Sequence, residues 1–131
     1  RRFLFDRPVI GITGSCGKTS TKDLLSHLLG PGTLKTEGNL NNHLGVPLTI
    51  MNFNNQIHSR AVVEVGINSV GEMKTYSEIL NPEIVIITMI GQSHLEGLKT
   101  TRGIAEEKAK LFQDSKRISR VVFFEECLLY Y

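Results

Sequence analysis

The chain has 131 residues, 40% of them hydrophobic and 21% charged, with a formal charge of +2. That length holds one domain with its own core. The charge is too small, and the basic residues too scattered, to argue for a nucleic-acid partner. No stretch approaches the roughly 20 apolar residues of a membrane helix, and Cys16 and Cys127 fit no metal-ligand spacing. These points predict a cytoplasmic protein without nucleic-acid or membrane partners. The apolar Cys127-Leu128-Leu129-Tyr130-Tyr131 end, and a start without Met, lead us to expect a piece of something longer.

In chain order, Pro8 to Thr13 is a short β-branched apolar run and predicts a strand. Thr19 to Leu29 carries Leu24, Leu25, Leu28 and Leu29 at helical spacing, and Gly30-Pro31-Gly32 ends that helix. Thr33 to Thr36 predicts a short strand, and Glu37 to Gly45 an Asn-rich loop. Pro47 to Phe53 predicts a helix with Pro near its first turn. Arg60 to Val65 reads as a strand and Gly71 to Leu80 as a helix closed by Asn81-Pro82. Ile84-Val85-Ile86-Ile87 suits a parallel strand buried on both faces. Met89 to Thr100 is a loop, Thr101 to Phe112 a helix and Arg120 to Phe124 a last strand. The alternation predicts an α/β fold, a mostly parallel sheet flanked by helices, with its site in the loops at the carboxyl ends of the strands.

The first strand runs into Thr13-Gly14-Ser15-Cys16-Gly17-Lys18-Thr19-Ser20. Glycines let a backbone wrap a phosphate with its N–H groups pointing inward, and the following helix aims its positive end at the same place. Lysine adds a mobile cation, and a hydroxyl next to it suits magnesium. The stretch therefore predicts a nucleoside triphosphate cradle, P-loop NTPase-like, made of Gly14, Ser15, Cys16, Gly17, Lys18, Thr19 and Ser20. Its spacing is the short Thr-Gly-x-x-Gly-Lys-Thr form, with Ile12 where the usual loop has its first glycine. Glu64 ends an apolar strand, where a carboxylate is out of place unless paired; alone it reads as a strand-end charge facing water, and with the loop upstream as a magnesium ligand.

Four blocks then stand in one order: Gly11 to Lys22; Thr36-Glu37-Gly38-Asn39-Leu40-Asn41-Asn42-His43-Leu44-Gly45-Val46-Pro47-Leu48-Thr49; Glu64-Val65-Gly66 with Gly71-Glu72; and His94-Leu95-Glu96 followed by Gly103-Ile104-Ala105 and Lys108. This set resembles the central, ATP-binding domain of the Mur ligases over roughly Pro8 to Phe112. The second and fourth blocks favour the branch that adds D-Ala-D-Ala to a UDP-N-acetylmuramoyl-tripeptide.

The resemblance implies that residues 1–131 are the central ATP-binding domain of a three-domain enzyme, with further N- and C-terminal domains in the same chain. It implies ATP with magnesium or manganese, a UDP-N-acetylmuramoyl peptide and D-Ala-D-Ala, joined through an acyl phosphate in peptidoglycan precursor synthesis. Lys18, Glu64, His94 and Lys108 would carry the chemistry, with Thr19, Glu64, His94 and Lys108 at the metals. His94 would serve a second magnesium, although imidazole suits softer metals and a substrate or loop-packing role stays open. Lys108 aligns with a lysine commonly carbamylated in the family; a solvated lysine beside Glu106, Glu107 and Lys110 is the competing reading. Thr36, Asn41 and Asn42 would contact the muramoyl peptide, with turn chemistry as the alternative for the asparagines. Met89 and Lys110 depart from the family pattern.

Two other readings stay open. Folylpolyglutamate synthase and cyanophycin synthetase share the loop form, and a non-catalytic nucleotide-binding module needs the loop alone. As an isolated domain the chain is expected to be inactive in ligation.

Overall fold

The computed structural model describes residues 6–92 and 100–131. Along the chain these form β1 (Val9–Thr13), α1 (Lys18–Leu29), β2 (Thr33–Lys35), α2 (Gly45–Met51), β3 (Arg60–Glu64), α3 (Glu72–Leu80), β4 (Ile84–Ile87), α4 (Thr101–Gln113), β5 (Arg120–Phe123) and a 3-10 turn (Glu125–Leu129). The expected elements are all present, with ends moved by a residue or two. Among the described residues the sheet has five strands, all parallel, in the order β2-β3-β1-β4-β5.

Strand register decides where the chemistry lies. Ile12 of β1 stands opposite Glu64 of β3 on one side and Ile86 of β4 on the other. The carboxyl ends of the three central strands therefore finish level, and the loops that leave them converge. On one face Val9, Ala61, Val63, Val85 and Ile87 pack under α2, α3 and α4, through Val46, Ile50, Met73, Leu80, Ile104 and Leu111. A Cβ at Gly11 would approach the Leu111 side chain to 3.2 Å, so α4 packs closely over β1 at this glycine. On the other face Ile10, Ile12 and Val62 meet Leu25 and Leu29 of α1, with Ile84 and Ile86 beside them.

The structure settles the inner face of α1, which the sequence left open, and corrects the expected burial of β4. The inner face of α1 carries Lys22, Leu25, Ser26 and Leu29, while Leu24 and Leu28 are exposed. The helix is turned so that a lysine lies inside, for a reason given below. The fourth strand is buried on one face only. Val85 and Ile87 are sealed, but Ile84 and Ile86 are half-buried.

Local chemistry sets the helix ends. Asn42 Oδ1 accepts the N–H groups of Leu44 (3.1 Å) and Gly45 (2.9 Å) and so starts α2. A Cβ at Gly45 would collide with the Leu40 carbonyl, which is why glycine opens that helix. Buried Glu107 of α4 reaches across to α3, accepting from the N–H groups of Gly71 (2.8 Å) and Met73 (3.2 Å). Lys110, the departure from the family pattern, pairs with the other oxygen of Glu107. The last residues close over the same layer: Cys127 is buried, and the Tyr131 hydroxyl donates to the Ala105 carbonyl at 2.9 Å. The Tyr131 ring stands edge-on to Phe112 and Phe123, with centroids 5.9 Å from each.

Candidate functional site

β1 ends at Thr13 and α1 begins at Lys18, so four residues make the turn. Gly17 takes φ 81° at the helix start, and Gly14 takes φ 149°, where an added Cβ would strike Thr88 Oγ1. Both positions require glycine. The turn is pinned from the β4 side. Ser15 N–H donates to the Met89 carbonyl at 2.8 Å, and Ser15 Oγ accepts from Gly91 N–H at 2.9 Å. Thr88 Oγ1 donates to the Cys16 carbonyl, and Cys16 Sγ lies 3.0 Å from Met89 Sδ. Met89 thus secures the loop through its own backbone carbonyl.

This pinned turn leaves the start of α1 open. No side chain caps it and no acidic residue lies in its first turn. The unpaired N–H groups of that turn and the positive end of the helix dipole face the loop together. Lys18 Nζ folds back to donate to the Gly14 carbonyl at 3.0 Å, which holds its ammonium over the cradle.

Glu64 is the next component. Its side chain is 1% exposed, so the water-facing reading of a strand-end charge fails. Its oxygens accept from Thr19 Oγ1 (3.0 and 3.2 Å) and from Asn41 Nδ2 (2.7 Å). The Lys22 ammonium stands 3.9 Å from Oε2. Thr36, itself fully buried, accepts the Glu64 N–H at 2.9 Å and fixes the backbone beneath the carboxylate. A buried carboxylate beside a hydroxyl at a phosphate loop is a set of hard oxygens, the donor set that a magnesium ion takes. The residues present therefore fit that ion, with Glu64 and Thr19 as its holders.

Lys108 reaches the loop from behind. It is 1% exposed, and its Nζ donates to the same Gly14 carbonyl at 3.3 Å. Burial, and then the Lys18 charge, pull its pKa down from 10.5 to about 8. The solvated-lysine reading does not survive this placement.

Of the residues singled out in sequence, Gly14 to Thr19, Glu64 and Lys108 come together here. Ser20 sits exposed on the first turn of α1. Asn41 faces Glu64, Asn42 caps α2, and Thr36 holds the backbone of Glu64. His94 lies outside the described residues. Sequence reading assigned no role to Lys22, whose signal is its position one helical turn after Lys18. It also missed Thr88, which braces the loop through a hydroxyl no spacing rule flags.

A parallel sheet whose first strand leads through a glycine turn into an uncapped helix, with a buried acid on the neighbouring strand, defines a phosphate-loop nucleotide-binding domain. The chain belongs to the Mur ligase middle domain family, whose model matches residues 12–128. It is 41% identical over 119 residues to the UDP-N-acetylmuramoyl-tripeptide–D-alanyl-D-alanine ligase of Bacillus subtilis, covering 88% of this chain and 25% of that protein. It is 48% identical over 104 residues to the ligase of the same description from Borreliella burgdorferi, covering 78% and 22%. The MurF ligase of Thermotoga maritima, solved in complex with ADP, superposes with a TM-score of 0.84 at 32% identity, covering 93% of this chain and 29% of that one. MurF of Acinetobacter baumannii gives 0.82 at 36%, covering 88% and 26%. The chain thus spans about a quarter of the length of these relatives.

Proposed function

We propose that this chain is the ATP-binding part of a ligase that joins D-Ala-D-Ala to a UDP-N-acetylmuramoyl-tripeptide, in the cytoplasmic synthesis of peptidoglycan precursor. One observation carries the reading: the Gly14–Thr19 cradle and the buried Glu64 carboxylate share a hydrogen bond through Thr19. The relatives at 41% and 48% identity are ligases of that description, which supports the substrate assignment.

The reaction brings together two anions, the γ-phosphate of ATP and a peptide carboxylate. The carboxylate oxygen attacks the γ-phosphorus, ADP leaves, and an acyl phosphate forms. The amine of D-Ala-D-Ala then attacks the acyl carbon and inorganic phosphate departs. Such chemistry depends on positioned positive charge rather than on covalent help from the protein. Backbone N–H groups of the loop would hold the phosphates, and Lys18 would neutralise the charge shifting toward ADP. Thr19 and Glu64 would hold magnesium or manganese, which when bound supplies Lewis-acid charge at the phosphate oxygens. His94 is assigned to a second metal on the family pattern alone.

Lys108, as the neutral amine that its low pKa makes accessible, would add carbon dioxide at Nζ and present a carbamate oxygen to that region. Burial supports this, because it disfavours the ammonium. Thr36, Asn41 and Asn42 stand in the loop assigned to the muramoyl peptide. Asn41 faces Glu64, Asn42 is exposed at the start of α2 and Thr36 holds the backbone of Glu64, so the two asparagines stand where a peptide carboxylate or amide would meet them. The remaining three quarters of the polypeptide would supply the UDP-sugar and D-Ala-D-Ala sites.

The test is phosphate release dependent on both peptide and D-Ala-D-Ala in the whole protein. Lys18→Ala is expected to abolish it; near-normal turnover would remove the reading.

A further inference from the structure

Lys22 is a lysine in the wrong place for an ordinary helix surface. Its side chain is 1% exposed, on the face of α1 that packs on the sheet. A buried ammonium costs free energy unless its charge and all its protons are used. Here one proton is used on a carbonyl, and the charge is shared with two carboxylates. Nζ donates to the Gly38 carbonyl at 2.7 Å, stands 3.9 Å from Glu64 Oε2, and lies 3.5 Å from Asp23 Oδ1. Asp23 is held in turn by Lys35 at 2.9 Å.

Gly38 lies inside the 36–41 stretch that leads from β2 toward α2, and takes φ 51° there. Both ends of that segment are fastened to β3 or the residues just after it. At the start, Thr36 N–H donates to the Val62 carbonyl at 3.2 Å, and Thr36 Oγ1 accepts the Glu64 N–H. At the far end, the Asn41 carbonyl accepts the Gly66 N–H at 2.8 Å while its amide donates to Glu64 Oε1. A Cβ at Gly66 would approach Asn41 Oδ1 to 2.9 Å, so the contact depends on glycine there. Between these ends the attachment seen is the Lys22 ammonium. The same ammonium sits behind the carboxylate oxygen that Asn41 does not hold.

We propose that Lys22 is a positioning residue: it ties the 36–41 segment to Glu64, so that Asn41 and the carboxylate are presented as one unit beside Thr19. The inference rests on the nucleotide-and-metal reading of the site and adds the residue that organises it. A side chain in contact with the holder of a metal orients it, and losing such a partner costs about ten- to a hundredfold in metal affinity or activity. Lys22 touches neither the loop glycines nor Lys18, so its effect is confined to the Glu64 side.

The experiment uses the whole protein with Lys22→Met, which keeps length and apolar bulk, and Lys22→Gln, which keeps a donor without charge. Amide exchange across residues 37–42, in metal-free and nucleotide-free protein, is expected to speed up about tenfold or more in Lys22→Met, and less in Lys22→Gln. The magnesium concentration for half-maximal turnover is expected to rise about tenfold, with a smaller fall in turnover at saturating magnesium. ADP binding in chelator, which reads the phosphate loop alone, is expected to stay unchanged.

Exchange and magnesium dependence both unchanged would overturn the proposal. So would a fall in the magnesium requirement, which would mean that the ammonium merely repels the cation. Failure of both variants to fold by circular dichroism would make Lys22 a core requirement and would equally overturn it. Loop exchange that responds to Lys22 in a protein with no ligase activity would leave the clamp standing and remove the ligase reading instead.

Discussion

At the scale of single residues, the site is a small volume into which charge has been forced. Lys108 shows the consequence most directly. Its pKa falls to about 8 in the folded chain against 10.5 as the ordinary value. Below pH 8 both folded and unfolded chains carry the proton, and the folded state bears the full penalty. Between pH 8 and 10.5 the folded state releases the proton first, so stability rises with pH, and above 10.5 the penalty is gone. A shift of that size corresponds to about 3 kcal/mol. Lys108→Met should therefore stabilise the protein at pH 7 by up to about 3 kcal/mol in bicarbonate-free buffer, with the gain fading toward pH 10.5. Urea unfolding at pH 7, 9 and 10.5 checks this; a gain independent of pH would refute it. With bicarbonate, intact-mass analysis under non-denaturing conditions should show the wild-type protein heavier by one carbon dioxide, and Lys108→Met unshifted.

Residue identity made part of this legible in sequence. Glycines, lysine and hydroxyls at fixed spacing declare a phosphate cradle because few other structures need all of them. The Glu64 carboxylate was legible only in company with that loop. The roles of Lys22 and Glu107 were not legible, because a charged residue on a helix usually faces water. Nothing in one sequence says which way the helix is turned.

At the scale of elements, α1 is left uncapped while α2 and α3 are started by side chains outside their own first turns. Asn42 starts α2 from within its own loop, and Glu107 starts α3 from across the layer. Asn42→Ala should cost about 1 kcal/mol, the usual worth of a helix cap. Glu107→Gln should cost about 1–3 kcal/mol, since a charged acceptor for buried N–H groups is lost and Lys110 is left without its partner. The two act on different helices, so the double variant should lose the sum to within about 0.5 kcal/mol. Chemical denaturation of the two single variants and the double variant measures this. A loss well short of the sum would mean that α2 and α3 are coupled through the site.

Periodicity found the five strands and four α-helices of the described residues because strands and helices bury different residue patterns, but not the 3-10 turn at Glu125–Leu129. It left the inner face of α1 open, since Leu25 and Leu29 face the sheet while Leu24 and Leu28 do not. Lys22 fills part of that face because Glu64 and the Gly38 carbonyl lie beside it. It also overestimated the burial of β4: Ile84 and Ile86 lie beside the cluster that α1 covers and are only half-buried.

At the scale of the molecule, the sheet order puts the buried Glu64 carboxylate on one side of β1 and the bracing loop after β4 on the other. The glycine turn is gripped between them. A nucleotide whose phosphates lie in that turn would have its γ-phosphate on the Glu64 side, where Thr36 to Asn42 also converge. If the protein is as long as its relatives, of which this chain covers about a quarter, the proposed acceptor and donor sites have to close on that edge. This chain alone should release no phosphate in response to D-Ala-D-Ala, while the whole protein should. Release by this chain alone would place a complete active site within it.

The most direct measurement is a crystal structure of the whole protein with magnesium and a non-hydrolysable ATP analogue. The account predicts the β- and γ-phosphates against the N–H groups of Gly14 to Thr19, with the ion between Thr19 and Glu64. Phosphates bound elsewhere, or Glu64 turned away from a filled loop, would contradict it.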